Sequence, residues 1–283
     1  MSRSNLEILT ENLKYLGFGE YIPFRDQLVE EVQKNDHEFK ITTDVIYDQW
    51  SRLDLTLYFR KAGQQNMYFI IKYTGELSYN DVPDSTKTHT FYIYKGSGVT
   101  LREAYNLLQG RSVNKDLTDH EGDKYNAWLQ LDFREKTDYN NYKVRQFRKS
   151  YGYDLEKLLE NYPIRELQDE KLKEHMIKSL KKGNLHLVNF QKAAKVEKMY
   201  IGACPQYKTI SIYSKASVDR SPLRHDEVEY LAASPMSGPL GILPGEAEDQ
   251  ADTGTEEEKD VLAEEPVHAE EVPAKKRSRR QVS

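Results

Sequence analysis

Two stretches of this chain interleave cations with aromatic rings at the period of a β-strand, and no other combination of residue types here carries as much chemistry. Lys124, Trp128, Gln130 and Arg134 alternate along the first, and Lys143, Arg145, Phe147 and Lys149 along the second. If the two stretches are strands of one hairpin, alternate side chains share a face, and the cations lie beside the rings. Single-stranded nucleic acid calls for that arrangement. Lysine and arginine meet the phosphates, and each exposed ring stacks a base for about 1–3 kcal/mol. Trp128, Lys143, Arg145, Phe147 and Lys149 are therefore the candidate nucleic-acid-binding residues. The same rings could instead pair across the strands or lie beneath another element, leaving the cations merely solvated.

Other candidate chemistry is thinner. Lys95-Gly96-Ser97-Gly98 could turn backbone amides toward an anion. Neither G-x-x-x-x-G-K-[ST] nor G-x-G-x-x-G is present, however, so a plain strand-to-helix turn is expected. Asp116, Asp119, His120, Glu121 and Asp123 lack the ligand register of a calcium loop and read as a solvated loop. The seven histidines show no HExxH and no paired spacing. Cys204, just before Pro205, reads as a small, partly buried residue rather than a nucleophile. No catalytic residue, metal site or cofactor is expected. A single cysteine excludes an intrachain disulfide and a cysteine-based zinc site, and points to a reducing compartment.

The elements that would position the hairpin can be read from periodicity and punctuation. Ser4 with Glu7 makes a capping box ahead of Leu6, Leu9, Leu13 and Leu16 at helical spacing, with Gly17 as the stop. Pro23 opens a second helix through Phe24, Leu28 and Val32. Alternating strands follow at Phe39/Ile41, Leu53 to Phe59, Met67 to Tyr73 and Phe91/Ile93, with Ala62 to Gln65 as a hairpin turn. Met67 to Tyr73 is apolar on both faces and belongs at the centre of its sheet. Thr100 and Glu103 cap a third helix, which ends at Gly110. In the hairpin, Leu129, Leu131 and Phe133 point inward while Gln130, Asp132 and Arg134 stay wet; Tyr142 and Val144 point inward opposite Lys143, Arg145, Phe147 and Lys149. Asp154 caps a helix broken at Pro163, a further helix spans 167–182 and stops at Gly183, and short strands cover 185–190, 198–203 and 209–213. Helix, helix, then antiparallel strands is thus written twice, which fits either an internal duplication or the common grammar of small α+β domains.

Composition changes after Lys215. Of the 2 Trp, 20 Tyr and 9 Phe, only Tyr230 lies beyond it. The 16 acidic and 8 basic residues there give that segment a charge of −8 against +3 for the rest. With prolines, an acidic run over 246–271 and a basic KKRSRR at 275–280, it cannot support a core. The opening residues MSRSNLEILTEN hold no apolar h-region, and no apolar run of about 18 residues occurs, so a cytoplasmic chain with no membrane partner is expected.

TLREAYNLLQGRSVNKDL (100–117), EGDKYNAWLQLDF (121–133), YGYDLEKLLENYPIREL (151–167), LKKGNLHLVNF (180–190) and ACPQYKTISIY (203–213) resemble a family of unknown function encoded on conjugative and mobilisable elements of Bacteroidetes. The resemblance implies an element-encoded cytoplasmic protein whose neighbours handle DNA. It supplies no catalytic residues, and it does not extend to the tail.

The expected architecture is α+β, with two small helix-plus-antiparallel-sheet domains and a disordered C-terminal tail. The first domain covers 1–110, the second 111–213, and the acidic tail with its basic tip 214–283. The expected function is that of a non-enzymatic accessory protein of a mobile genetic element. It would bind single-stranded DNA or RNA through the hairpin face or, in the alternative, act as an interaction module on an element or host protein. Because the segment after Lys215 holds one aromatic residue, a chain ending at Lys215 is expected to melt in one cooperative transition followed by circular dichroism. Aggregation or loss of the transition would show that the tail belongs to the fold.

Overall fold

The computed structural model describes residues 4–19, 22–62, 67–80, 85–93, 98–119, 121–192, 195–215, 218 and 229–230, and these form an α+β structure with three antiparallel sheets. Helix α1 (Asn5–Leu13) begins with the reciprocal Ser4–Glu7 capping box and passes into a π-helical turn at Lys14–Phe18, where Gly17 takes φ 108°. Helix α2 (Arg25–Lys34) ends on Asn35 in the left-handed region. Strands β1 (Glu38–Val45), β2 (Ser51–Ala62), β3 (Met67–Tyr79) and β4 (Lys87–Tyr92) then form a meander in sequence order, which places β3 inside the sheet. Helix α3 (Leu101–Leu108) is capped by Thr100 and Glu103. It leads into the three-stranded sheet β5 (Val113–Thr118), β6 (Lys124–Lys136) and β7 (Tyr142–Arg148). Helices α4 (Leu155–Leu159) and α5 (Glu170–Lys181), N-capped by Asp154 and Asp169, precede a second meander: β8 (His186–Lys192), β9 (Lys195–Cys204), β10 (Thr209–Ser214) and the two-residue β11 (Glu229–Tyr230). Two helices followed by an antiparallel meander therefore occur on either side of the central sheet.

The buried apolar residues fall into two clusters, and the central sheet feeds both. One cluster collects the leucines of α1, the inner faces of β1–β4 and α3, and reaches on to Val113, Leu129 and Leu131. The other contains Trp128, Phe147, Tyr153, the apolar faces of α4 and α5, and Val188, Phe190, Ile201, Ile210 and Ile212. Successive side chains on a strand point to opposite faces. Leu129 and Leu131 on β6 therefore enter the first cluster while Trp128, between Ala127 and Leu129, enters the second. Residues 127–132 are buried without interruption. This corrects the expectation of one wet face: Gln130 and Asp132 are buried too, because the second cluster covers the face that alternation alone would leave to solvent.

Helix α3 shows the same double coverage. Leu101, Ala104, Tyr105 and Leu108 form the expected apolar face, but Glu103, Asn106 and Leu107 are buried as well. Asn106 Nδ2 donates to the Lys182 carbonyl (2.6 Å) and to Asn184 Oδ1 (3.0 Å), and its Oδ1 accepts from Arg111 Nη2 (2.7 Å). A polar side chain inside a helix interface is tolerated when it is satisfied this fully.

Two elements depart from the periodicity reading. Strand β5 was not anticipated, since Asn114, Lys115 and Asp116 leave only Val113 and Leu117 as an alternating pair; pairing with β6 from Val113↔Leu129 to Thr118↔Lys124 makes it a strand. The helix expected at 167–182 is a 3₁₀ turn (Arg165–Gln168) followed by α5, because the Asp169 carboxylate caps Lys171 and Leu172 and sets a new start. The expected tail lies outside the described residues apart from residues 214, 215, 218 and 229–230. The last pair adds to the edge of β10, with Tyr230 opposite Ser211. The turns at 63–65 and 95–97, His120 and KKRSRR also lie outside the described residues.

Helix α5 ends in a Schellman motif: the Gly183 amide donates to the Leu180 carbonyl and the Asn184 amide to the Ser179 carbonyl. Gly183 has φ 78°, and a Cβ there would sit 2.9 Å from the Ser112 carbonyl oxygen and from Val113 Cγ2, and 3.0 Å from Asn106 Cβ. Gly183→Ala is expected to cost about 2–4 kcal/mol in urea unfolding, combining left-handed strain with overpacking. Gly152→Ala, at φ 83° with nothing within 4 Å, should cost only about 1–2 kcal/mol. Equal costs at the two sites would show that the close approach of α5 to α3 and β5 is not rigid.

Candidate functional site

Register places the candidate residues of the hairpin opposite one another: Trp128 faces Phe147, Gln130 faces Arg145 and Asp132 faces Lys143. They do share a face, as the alternation predicts, but that face is not an open platform. Trp128 is 6% and Phe147 8% exposed. The Trp128 ring meets Tyr153 edge-on (centroids 5.5 Å, 76°), and Phe147 packs on Tyr151 at 5.0 Å. Tyr151 and Tyr153 are themselves held to the last meander, their hydroxyls donating to the carbonyls of Gln206 (2.8 Å) and Thr209 (3.1 Å). The outward orientation expected for both rings is thus corrected. Together they join the central sheet to the second core.

The cations of this face are largely matched. Arg145 donates from Nε and Nη2 to Asp132 Oδ2 at 2.8 and 2.6 Å, and Arg134 Nε reaches Oδ1 at 3.2 Å. Burial alone would raise the Asp132 carboxyl, but the donors from Arg134 and Arg145 more than offset it and hold the group at about 2. Lys143 pairs with Glu135 at 2.7 Å between two half-exposed side chains, a contact worth at most about 1 kcal/mol. Lys149 is exposed in the 3₁₀ turn (Lys149–Tyr151) that follows β7. The Gln130 amide turns inward and donates to the Gly110 carbonyl (3.0 Å).

A second polar cluster lies where α3 leaves the first meander. Asp48 Oδ1 accepts the amides of Trp50 (2.9 Å) and Ser51 (2.8 Å) and the Ser51 hydroxyl (2.9 Å), while Oδ2 accepts the Tyr105 hydroxyl. Burial would raise this carboxyl, and the four donors overturn that and hold it below the usual carboxylate range. Gln109 Nε2 donates to the Tyr105 oxygen (2.8 Å) and its Oε1 accepts from Tyr79 (3.2 Å), whose phenol burial pushes to about 12. The guanidinium of Arg102 lies 4.7 Å from the Tyr47 ring centroid and 5.5 Å from that of Tyr105; Arg111 lies 5.5 Å from the Tyr105 centroid. Sequence reasoning missed this cluster, since its two ends are far apart in the chain: Tyr105 and Asp48 alone are separated by 57 residues. The available signal was the density of polar residues in YNLLQGR at the end of an otherwise apolar helix.

The remaining candidates behave structurally. Asp119 caps its own turn, accepting the amides of Glu121 (3.0 Å) and Asp123 (2.8 Å), and among the described residues no group of three metal-ligating side chains converges. His89 is buried on β4 against Phe91, and burial lowers it to about 4, so it is neutral at physiological pH. Burial pushes the Cys204 thiol up to about 11, as expected of a packed residue and not of a nucleophile.

Because the Trp128 ring fills the seam, Trp128→Ala is expected to destabilise the protein by about 3–5 kcal/mol in denaturant unfolding. Stability unchanged by the truncation would return the ring to the surface. No protein family, no curated protein and no solved structure matches this chain, so its site is known from its own geometry alone.

Proposed function

We propose that the chain is a non-enzymatic accessory protein of a mobile genetic element that acts by binding another protein, element-encoded or host. The setting rests on the resemblance of its motifs to the element-encoded family. The observation that carries the choice of partner is the burial of Trp128 and Phe147, which removes the stacking faces that single-strand binding requires. The hydrogen bonds and burial that hold Asp48, Asp132, His89 and Cys204 in structural roles support a binding role over a catalytic one. No described helix is long and apolar enough to cross a membrane.

The edge of the first sheet supports a protein partner. Strand β1 pairs with β2 on one side over eight residues, and among the described residues its other side carries no backbone hydrogen bond. An unpaired edge of this length can accept an extended peptide as an added strand. Its outward Glu38, Lys40 and Asp44 discourage pairing with unsuitable strands.

The full-length chain, titrated with single-stranded DNA and RNA at several salt concentrations, separates the two kinds of partner. The expected result is that Lys143→Gln with Lys149→Gln leaves any salt-sensitive retention unchanged, while cross-linking in cells carrying the element maps a stoichiometric protein partner to β1. A fall of about 1.4 in the log–log salt slope of the double variant would instead assign phosphate contacts to the hairpin and overturn the reading.

A further inference from the structure

The cluster around Tyr105 contains two arginines with which no carboxylate of the described residues pairs. Asp48, the acid hydrogen-bonded to Tyr105, is already occupied by donors from Trp50, Ser51 and Tyr105. Glu103 is committed to the Thr100 amide and to Lys115 Nζ, both through Oε2 at 2.8 and 2.9 Å. Arg102 donates from Nε to Asn184 Oδ1 (2.9 Å), and Arg111 from Nη2 to Asn106 Oδ1 (2.7 Å). Among the described residues neither guanidinium has an ion pair. The Nε of Arg111 is buried and has no acceptor.

Each guanidinium carries five N–H donors in a fork that matches an oxyanion. Each is held here by one neutral amide oxygen and by tyrosine rings. Rings compensate part of a guanidinium's desolvation, but they accept none of its hydrogen bonds in the plane where an oxyanion would. Arg102 is exposed and Arg111 is partly buried; both guanidiniums lie against the Tyr105 ring, and Arg102 also against that of Tyr47. Burial, and Arg102 as a like charge, weaken the hold of Arg111 on its proton, and the phenols of Tyr105, Tyr213 and Tyr79 partly restore it.

We propose that Arg102 and Arg111, walled by Tyr47 and Tyr105, form a binding site for an oxyanion group of a small molecule, a phosphate or a carboxylate. The site does not depend on which macromolecular partner the chain takes.

The test is a titration of the full-length protein with inorganic phosphate, acetate and chloride at matched ionic strength. It is followed by the arginine side-chain N–H signals in NMR and by thermal melting. A saturable shift of the Arg111 Nε–H signal with phosphate, with acetate or with both is expected, and the more effective anion identifies the source. Arg102→Gln should raise the half-saturating concentration about tenfold. If that variant fails to fold, Arg102→Lys, which keeps the charge but loses the fork, should weaken binding in the same direction. A response that chloride reproduces, that does not saturate, or that the Arg102 variants leave unchanged would overturn the proposal.

Discussion

Burial of both faces of β6 is the constraint on which the rest of the structure depends. A strand at a surface spends alternate side chains on solvent, but β6 spends them on two separate cores, with Leu129 and Leu131 in one and Trp128 in the other. A one-residue slip in its register would exchange the two sets and ruin both clusters at once. The pairing of Trp128 with Phe147 and of Leu129 with Gln146 is thus enforced from both sides. The bulge between Asp132 and Lys136 comes where the double coverage ends, and within it and at its end Arg134, Glu135 and Lys136 are exposed.

Polar groups at the seam follow from the same geometry. A helix packed on two sides has little surface left for its hydrophilic residues, so those of α3 must find partners inside the protein. Asn106 does so through three hydrogen bonds to the end of α5 and to Arg111, Glu103 through its capping amide and Lys115, and Tyr105 through Asp48, Ser51 and Gln109. Buried polar networks of this kind add little net stability over an apolar seam, yet they are costly to break because each lost partner strands another group. Here they tie α3 to the end of α5 on one side and to the Asp48–Ser51 turn on the other. Among the described residues, Arg111 Nε and Gln130 Oε1 are buried near the seam without a partner.

Charge on the hairpin is arranged to be consumed locally. Asp132 is 7% exposed and gathers Arg145 and Arg134, so cations that look available in the sequence are drawn onto one buried carboxylate. The outer surface retains Lys149 and the paired Lys143, a weaker electrostatic feature than the run of basic letters suggests.

Local signals determined much of the fold. The capping boxes at Ser4–Glu7 and Thr100–Glu103, the cap at Asp154 and the stop at Gly183 were legible because each involves a backbone group and a side chain within a few residues. Alternation was legible in β1 and β2 for the same reason: period 2 is a property of the chain itself. In β3 a bulge shifts it, so that Tyr68 and Ile70 are buried while Phe69 and Ile71, expected to point inward, are half-buried, and β10 is buried on both faces over Thr209 to Ile212. Which side of a strand meets water is not legible in this way. Trp128 and Phe147 fall on the face that alternation assigned them, and only the arrival of Tyr151, Tyr153 and the second meander turned that face from surface to core. Likewise β5 is a strand because β6 offers it a ladder, and Arg102 and Arg111 share the ring of Tyr105 because α3 is clamped at both sides. Contacts between residues distant in the chain depend on how whole elements pack, and no short window of sequence carries that information.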